Sequence, residues 1–186
     1  MAYVNIKNLV WSEMTDVDAM VYAAPLPVAS LMSIKVDTKS SNDTLYGDGI
    51  PEENVLSIGE TTFEAGVTSF PSLIASKMLG HTLDPLTGIT SDHVDDLAPY
   101  GAIGFELEKA DGTSDAFWYL KGRFEEAGVD GKQKEGKTSF STPTLKATFL
   151  PRADGHRRFK LDPSAGTTPT TVAAFLAAVP APVPEG

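Results

Sequence analysis

The sequence predicts a mainly β fold, in which antiparallel strands form a sheet flanked by a short helix and a C-terminal helix. The clearest signal is the alternation of Ile103, Phe105 and Leu107 with polar or small residues, which is the period of a half-buried strand. An Asp-Gly pair at 111–112 follows and is typical of a tight hairpin turn, because both residues tolerate positive φ. The aromatic-rich stretch Ala116–Phe124 is then expected to form the return strand.

Other strands and loops follow from the same patterns. Strand-like alternation occurs over Tyr3–Trp11, Met32–Val36, Val55–Val67 and Leu145–Phe149. Segments rich in turn-forming residues are predicted to be irregular, namely Ser12–Pro27, Thr38–Asn54 and Glu125–Lys137. A loop as long as Thr38–Asn54 is uncommon in a compact domain. Because its middle carries two large side chains, Leu45 and Tyr46, we expect it to dock on another surface.

Two helices are predicted. The first spans Phe70–Leu79, with caps expected at Thr68 or Ser69, Pro71 in its first turn and Gly80 beyond its end. Its inward stripe is predicted to be Leu73, Ile74, Lys77 and Met78.

The second helix is predicted over 170–179, with Pro169 as its first residue and Thr168 as its cap. Apolar side chains fall at helical spacing at Val172, Phe175, Leu176 and Val179. Pro180 ends the helix, and residues 180–186 are expected to form an extended tail. The whole chain, 1–186, is interpreted as a single domain.

Composition narrows the class of protein. The 186 residues are 41% hydrophobic and 22% charged, which is ordinary for a globular domain. No apolar run approaches the roughly 20 residues that a membrane helix needs, and the N-terminus lacks the pattern of a secretory signal. With no cysteine, disulfides and thiolate metal sites are excluded. These observations favour folding in a reducing cytoplasm.

The negative charge is concentrated in the first half of the chain. Residues 1–99 contain 14 acids and 4 lysines or arginines, which accounts for the whole net charge of −10. Within Asp37–Glu64, seven acids face one lysine. Such a surface is typical of a protein that stays soluble. It disfavours binding DNA by electrostatic attraction.

Catalytic and metal-binding motifs are weak or absent in the sequence. His81 and His156 are expected in turns, and the acids around His93 lack the spacing and the glycine of a calcium loop. No G-x-S-x-G elbow is present, and no lysine follows the glycines at 47 and 49 as a phosphate loop requires. These motifs do not exclude an enzyme, but none of them argues for a catalytic residue, a metal site or a cofactor site.

Several segments follow one another in a specific order between Tyr3 and Val179, namely YVNIKNLVWSEMT, SIKVDTKSSNDTLYGDG, MLGHTLD, APYGAIGFELEKADG, FWYLKGRFEE and FSTPTLKATFLPR. This order resembles that of the major tail tube proteins of long-tailed (siphovirus-type) bacteriophages. The resemblance implies a small tail-tube β-sandwich or barrel flanked by a helix, which is not an enzyme and has no catalytic residue, no metal and no cofactor. Copies associate side by side into a ring, usually of six, and the rings stack into a hollow tube.

The resemblance also implies partners and a location. The partners are other copies of the chain, the tape-measure protein in the bore, and the tail terminator and distal tail proteins. DNA passes only in transit, and there is no membrane partner. The expected location is the virion tail, after assembly in the host cytoplasm.

Two groups of residues are predicted to matter in such a tube. A contact loop between rings would contain Leu45, Tyr46, Asp48, Glu52 and Glu53. Acids facing the lumen would include Asp37, Asp43, Glu60 and Glu64, and six copies would bring −60 to each ring. A wall of that charge would let DNA slide without binding.

Two alternatives stay open at this point. One is the tube protein of a contractile tail or of a type VI secretion-like system. The other is a stand-alone β-sandwich that binds carbohydrate, with Phe117, Trp118 and Tyr119 as a stacking platform. Alternation along the strand places Trp118 on the opposite face from its two neighbours, which weakens that platform.

Overall fold

The computed structural model describes residues 2–48, 50–126, 142–167 and 170–182. Its strands are β1 (Tyr3–Asp16), β2 (Val21–Tyr22), β3 (Leu26–Pro27), β4 (Leu31–Gly47), β5 (Ile50–Val67), β6 (Thr82–Leu83), β7 (Thr90–Ser91), β8 (Gly101–Lys109), β9 (Ser114–Glu125), β10 (Thr144–Leu150) and β11 (Arg158–Leu161). The helices are α1 (Ser72–Leu79) and α2 (Val172–Leu176), with one 3₁₀ turn at Pro163–Ala165. The predicted mainly β fold is confirmed.

The long strands form one antiparallel sheet in the order β2-β1-β8-β9-β10-β5-β4. On the edge of β9 away from β8, β11 pairs with the first half of the strand and β10 with its end. β4 lies at the end of this order, and it approaches β1. The sheet is therefore curled, and one face of every long strand points towards a common interior.

The interior is filled by aromatic and branched side chains. Trp11, Phe63, Phe105, Phe117, Tyr119, Phe124 and Phe149 are all buried in this main core. Phe63 lies edge-on to both Phe124 and Phe149, at centroid distances of 6.4 and 6.0 Å. Such tilted contacts are favoured over face-to-face stacking. The core therefore holds the curled sheet together by packing across strands that are distant in sequence.

A bulge in β9 allows both odd-numbered and even-numbered residues of this strand to point into the main core. Tyr119 lies opposite Ile103, whereas Gly122 lies opposite Gly101, so β9 contains one extra residue between them. Phe124 thereby points inward together with Tyr119. The bulge also brings Gly122 against the ring of Phe149, where an added Cβ would lie 2.5 Å from the ring.

The outer face of β8 and β9 carries a second, smaller core. Ala102, Ala116, Trp118, Leu120 and Leu176 are buried there. Val172, Phe175 and Val179 pack on them, as their helical spacing predicts. α2 therefore covers part of the outer surface of the sheet. Trp118 faces this layer and Phe117 and Tyr119 face the main core, so the predicted alternation is confirmed.

Two segments predicted to be irregular are in fact strands. Thr38–Asn54 forms the ends of β4 and β5, which pair from Leu31 to Val67 around a turn that includes Asp48. Ser12–Pro27 contains the end of β1 and the short strands β2 and β3. Turn-forming residues misled the prediction because Ser, Thr and Asn also fit a strand when a partner strand completes their hydrogen bonds. The predicted link Glu125–Lys137 lies outside the described residues from 127 onward.

The bounds of the first helix also differ from those that the sequence predicts. α1 begins at Ser72 with Pro71 as its cap and no side-chain cap, so the predicted caps at Thr68 and Ser69 are wrong. Phe70 precedes a proline, which disfavours the helical conformation there. Ile74 and Met78 pack inward as predicted, but Leu73 and Lys77 are exposed and Ser76 is buried instead. Gly80 ends the helix at a φ of 80°, as expected.

The C-terminal helix is shorter than predicted. α2 is capped by Thr171, whose hydroxyl accepts a hydrogen bond of 3.3 Å from the N–H of Ala174. The predicted cap Thr168 and first residue Pro169 lie outside the described residues, as does 183–186 of the predicted tail. Within the part of the chain that the structure describes, no helix is long and apolar enough to cross a membrane.

Candidate assembly surface

The far end of the β4–β5 hairpin extends beyond the rest of the sheet. β10 pairs with β5 only from Thr61 to Gly66. Beyond that region, Ser40–Gly47 and Ile50–Ile58 pair only with each other among the described residues, and we call them the arm. The eight residues of Ser40–Gly47, at about 3.4 Å each, give the arm a length of about 27 Å.

Large apolar side chains are exposed along the whole arm. They are Leu45, Tyr46, Ile50, Val55, Leu56 and Ile58, and each keeps at least 47% of its surface exposed. An isolated two-stranded hairpin is marginally stable in water at best. An exposed apolar patch of this kind marks an interaction site more often than a simple solvated surface. The arm is therefore the strongest candidate for contact with another molecule.

The register gives the arm two chemically different faces. Cross-strand partners point to the same side of a sheet, so Asp43 lies with Val55, and Leu45 lies with Glu53. Asn42 lies with Leu56 and Ser40 with Ile58 on the opposite side. The acidic face carries Asp43, Leu45, Ile50, Glu53 and Val55. The face that we call uncharged carries the paired residues Ser40, Asn42, Thr44, Tyr46, Asn54, Leu56 and Ile58. Glu52 is the extra residue at the register shift between Leu45 and Tyr46, and it is assigned to neither face.

The uncharged face continues the inner side of the sheet. In the body of the protein, Ile34 and Val36 of β4 pack on the main core. The hydroxyl of Thr38 lies 3.0 Å from that of the buried Thr61. The irregularity at this point adds its extra residue to β5, so β4 keeps its alternation from Val36 through Thr38 to Ser40. The side that covers the core in the body is therefore uncovered in the arm.

The five predicted contact residues all lie near the tip of the arm. Leu45, Tyr46, Asp48, Glu52 and Glu53 are exposed, and Asp48 occupies the turn with a φ of 49°. Sequence reasoning missed Ile50, Val55, Leu56 and Ile58, which extend the same surface. The signal that would have revealed them is the Asp-Gly pair at 48–49 between two strand-like segments, since this pair favours a two-residue hairpin turn.

Three of the four acids predicted to face a lumen form ion pairs within the chain. Asp37 lies 2.7 Å from the ammonium group of Lys35, and Glu64 lies 3.4 Å from that of Lys146. Glu60 pairs with Lys39. Asp43 has no ion-pair partner within the described ranges.

Around these pairs, the outer face of the sheet alternates in charge. Glu125, Lys146, Glu64 and Lys35 stand opposite one another across β9, β10, β5 and β4. The acids at 37, 60 and 64 and the lysines at 35, 39 and 146 therefore cancel in charge. On the arm, by contrast, Asp43, Glu52 and Glu53 have no ion-pair partner within the described residues.

Two other carboxylates are tied into the body of the protein. Burial alone would raise the pKa of Asp115, but hydrogen bonds from Lys109, Tyr3 and Lys160 outweigh it and hold this pKa below its usual range. Hydrogen bonds from Arg152 lower the pKa of Asp154 to about 2. Asp115 has partners on two other strands, at Tyr3 and Lys160, whereas Asp154 is bonded to Arg152 and His156 of its own turn. Both arrangements indicate a structural role.

The proposed carbohydrate platform is contradicted by the structure. Phe117, Trp118 and Tyr119 are all buried, and the indole N–H of Trp118 donates a hydrogen bond to a backbone carbonyl. They present no face to a sugar ring. The described residues also contain no group of three or more histidines and acids placed to hold a metal ion.

A second exposed apolar surface follows α1. Between Asp84 and Ala98, four side chains, Leu86, Ile89, Val94 and Leu97, each keep at least 65% of their surface exposed. We call this stretch the post-helix segment. It also carries the acids Asp84, Asp92, Asp95 and Asp96. Among the described residues, apolar side chains are thus exposed both on the arm and in the segment that follows α1.

Comparison with known proteins adds no relative. No protein-family model matches the chain, and no curated protein matches it in sequence.

Proposed function

We propose that this chain is a structural protein that assembles with copies of itself into rings, which stack into a tube of the kind found in long phage tails. The observation that carries the proposal is the arm, a two-stranded extension with large apolar residues exposed on both faces. A solitary hairpin of this kind gains its stability by packing against a partner. The sequence resemblance supports a second copy of the chain as that partner.

The edge of the sheet supports association side by side. β4 ends the described strand order and is 17 residues long. An exposed edge strand offers N–H and C=O groups to another strand, which is a hazard in a monomer and an advantage in a ring. Joining of sheets through such edges would make a continuous wall.

The ion pairs on the outer face of the sheet affect how DNA would interact with the wall of the proposed tube. Because Asp37, Glu60 and Glu64 are paired with lysines, repulsion of DNA would depend on unpaired acids such as Asp43. Repulsion reaches only about 8 Å at physiological salt. A lumen lined by the alternating face would be close to neutral, and DNA would slide along it because strong attraction is absent.

Sedimentation velocity over a concentration series, with electron microscopy of the heavy fractions, tests the proposal. Species of ring mass and longer particles with a central hole are the expected result. A monomer at every concentration would contradict it.

A further inference from the structure

We infer that the uncharged face of the arm docks on the post-helix segment of a neighbouring copy. This inference rests on the proposed self-assembly and identifies the two surfaces that meet. The donor surface carries Tyr46, Leu56 and Ile58, and the acceptor carries Leu86, Ile89, Val94 and Leu97, all of them exposed in the single chain.

Charge determines which face of the arm docks. The post-helix segment carries four acids within 15 residues. The acidic face of the arm would bring Asp43 and Glu53 towards them, and like charges in contact at an interface are strongly disfavoured. The uncharged face can bury its apolar side chains there without that cost. Its polar residues are Ser, Thr and Asn, which can hydrogen-bond to acidic side chains.

The continuity of the sheet also favours docking through the uncharged face of the arm. The uncharged face extends the side of β4 that covers the main core, where Ile34 and Val36 are packed. An apolar surface docked on it would extend that core across the boundary between two copies. The acidic face instead continues the outer, charge-bearing side that carries Lys35 and Asp37.

The two surfaces are different parts of the chain, so the contact is heterologous. Each copy offers an arm and an acceptor, and growth need not stop at a dimer. Stacking of rings requires a contact of this kind, because every ring must present one surface upward and its complement downward.

Cysteine cross-linking tests the inference cleanly, because the chain contains no cysteine of its own. The test variant is L56C combined with a cysteine at Leu86, Ile89, Val94 or Leu97 in turn. The matched control replaces Val55 instead, which is adjacent, similarly exposed (56% against 64%) and on the acidic face. Assembled material is oxidised and run on non-reducing gels.

We expect a ladder of covalent multimers from at least one L56C pair and monomer from the V55C pairs. A ladder from V55C pairs alone, or from neither set although tubes are visible, would overturn the docking inference and leave self-assembly standing. If the parent protein forms no oligomers under any condition, the proposed function itself fails. Melting curves of each variant confirm that the fold is retained.

Discussion

The indole N–H of Trp118 donates a hydrogen bond of 2.9 Å to the backbone carbonyl of Phe175. It joins β9 to α2 across the second core. The other tryptophan differs in this respect, since the indole N–H of the buried Trp11 has no hydrogen-bond partner within the described structure. The two residues therefore form a natural pair for measuring what this bond contributes.

We expect W118F to lower the free energy of unfolding by about 2–4 kcal/mol, since it leaves a carbonyl unpaired and a small cavity behind. W11F is the matched control and should cost less, because it removes an unpaired donor together with the lost volume. Chemical denaturation of both variants provides the comparison. Equal losses would show that the bond to Phe175 adds nothing beyond packing.

The second prediction concerns acid stability. Hydrogen bonding from Arg152 lowers the pKa of Asp154 to about 2, below the usual 3.8 of an aspartate. The carboxylate therefore stabilises the fold above pH 4, and this contribution is lost as the pH falls towards 2. We expect D154N to be less stable at pH 7 by roughly 1–2 kcal/mol, allowing for partial solvent screening.

The difference between D154N and the parent should shrink as the pH falls from 4 to 2, in denaturation experiments at each pH. D43N provides the control, because Asp43 is exposed on the arm and has no ion-pair partner among the described residues. A constant difference across this range would argue against the ion pair as the cause.

Two glycines allow a third prediction. A Cβ at Gly122 would lie 2.5 Å from the ring of Phe149, whereas Gly112, at a φ of 83°, has nothing within 4 Å. G122A should cost about 1–3 kcal/mol through overpacking. G112A should cost nearer 1 kcal/mol, through backbone strain alone. A larger loss at Gly112 in thermal unfolding would contradict the close packing at the β9 bulge.

Removal of two apolar side chains from the tip of the arm gives the fourth prediction. The double variant L45S/Y46S should leave the single chain folded, because both residues are exposed in it. Tube length and yield should fall sharply when tubes are counted by electron microscopy.

The matched control is V17S/V21S, which removes two exposed valines from the region of the β1–β2 turn. It should assemble like the parent. Unchanged tube length and yield in the arm variant would show that the tip takes no part in the contact between rings.

Much of the sheet was predictable because strand alternation reports burial on one face. Phe105, Trp118 and Phe149 lie where that alternation places them. β-Bulges limit what strand alternation can predict. The irregularity at the start of β4 puts Leu31 rather than Met32 against the core, and the one in β9 changes the parity between Tyr119 and Phe124. A local pattern cannot reveal such shifts, because the partner strand sets them.

The arm shows a second limit of prediction from the sequence, namely that strand pairing decides whether a polar segment is a loop or a strand. Leu45 and Tyr46 were identified as unusual in a polar segment, but that segment was interpreted as a loop. Its serines, threonines and asparagines form a ladder only because β5 supplies the opposite strand. The two faces of the arm follow from that register. The sequence therefore located the tip of the candidate surface, and only the pairing revealed its extent.

Electron microscopy of the parent chain beside a variant in which residues 40–58 are replaced by a two-residue turn tests the central claim most directly. The parent should form rings and tubes with a central hole, and the shortened chain should stay folded but form no tubes. Tubes of equal length from both proteins, or no assembly by the parent at any concentration, would contradict the role given to the arm.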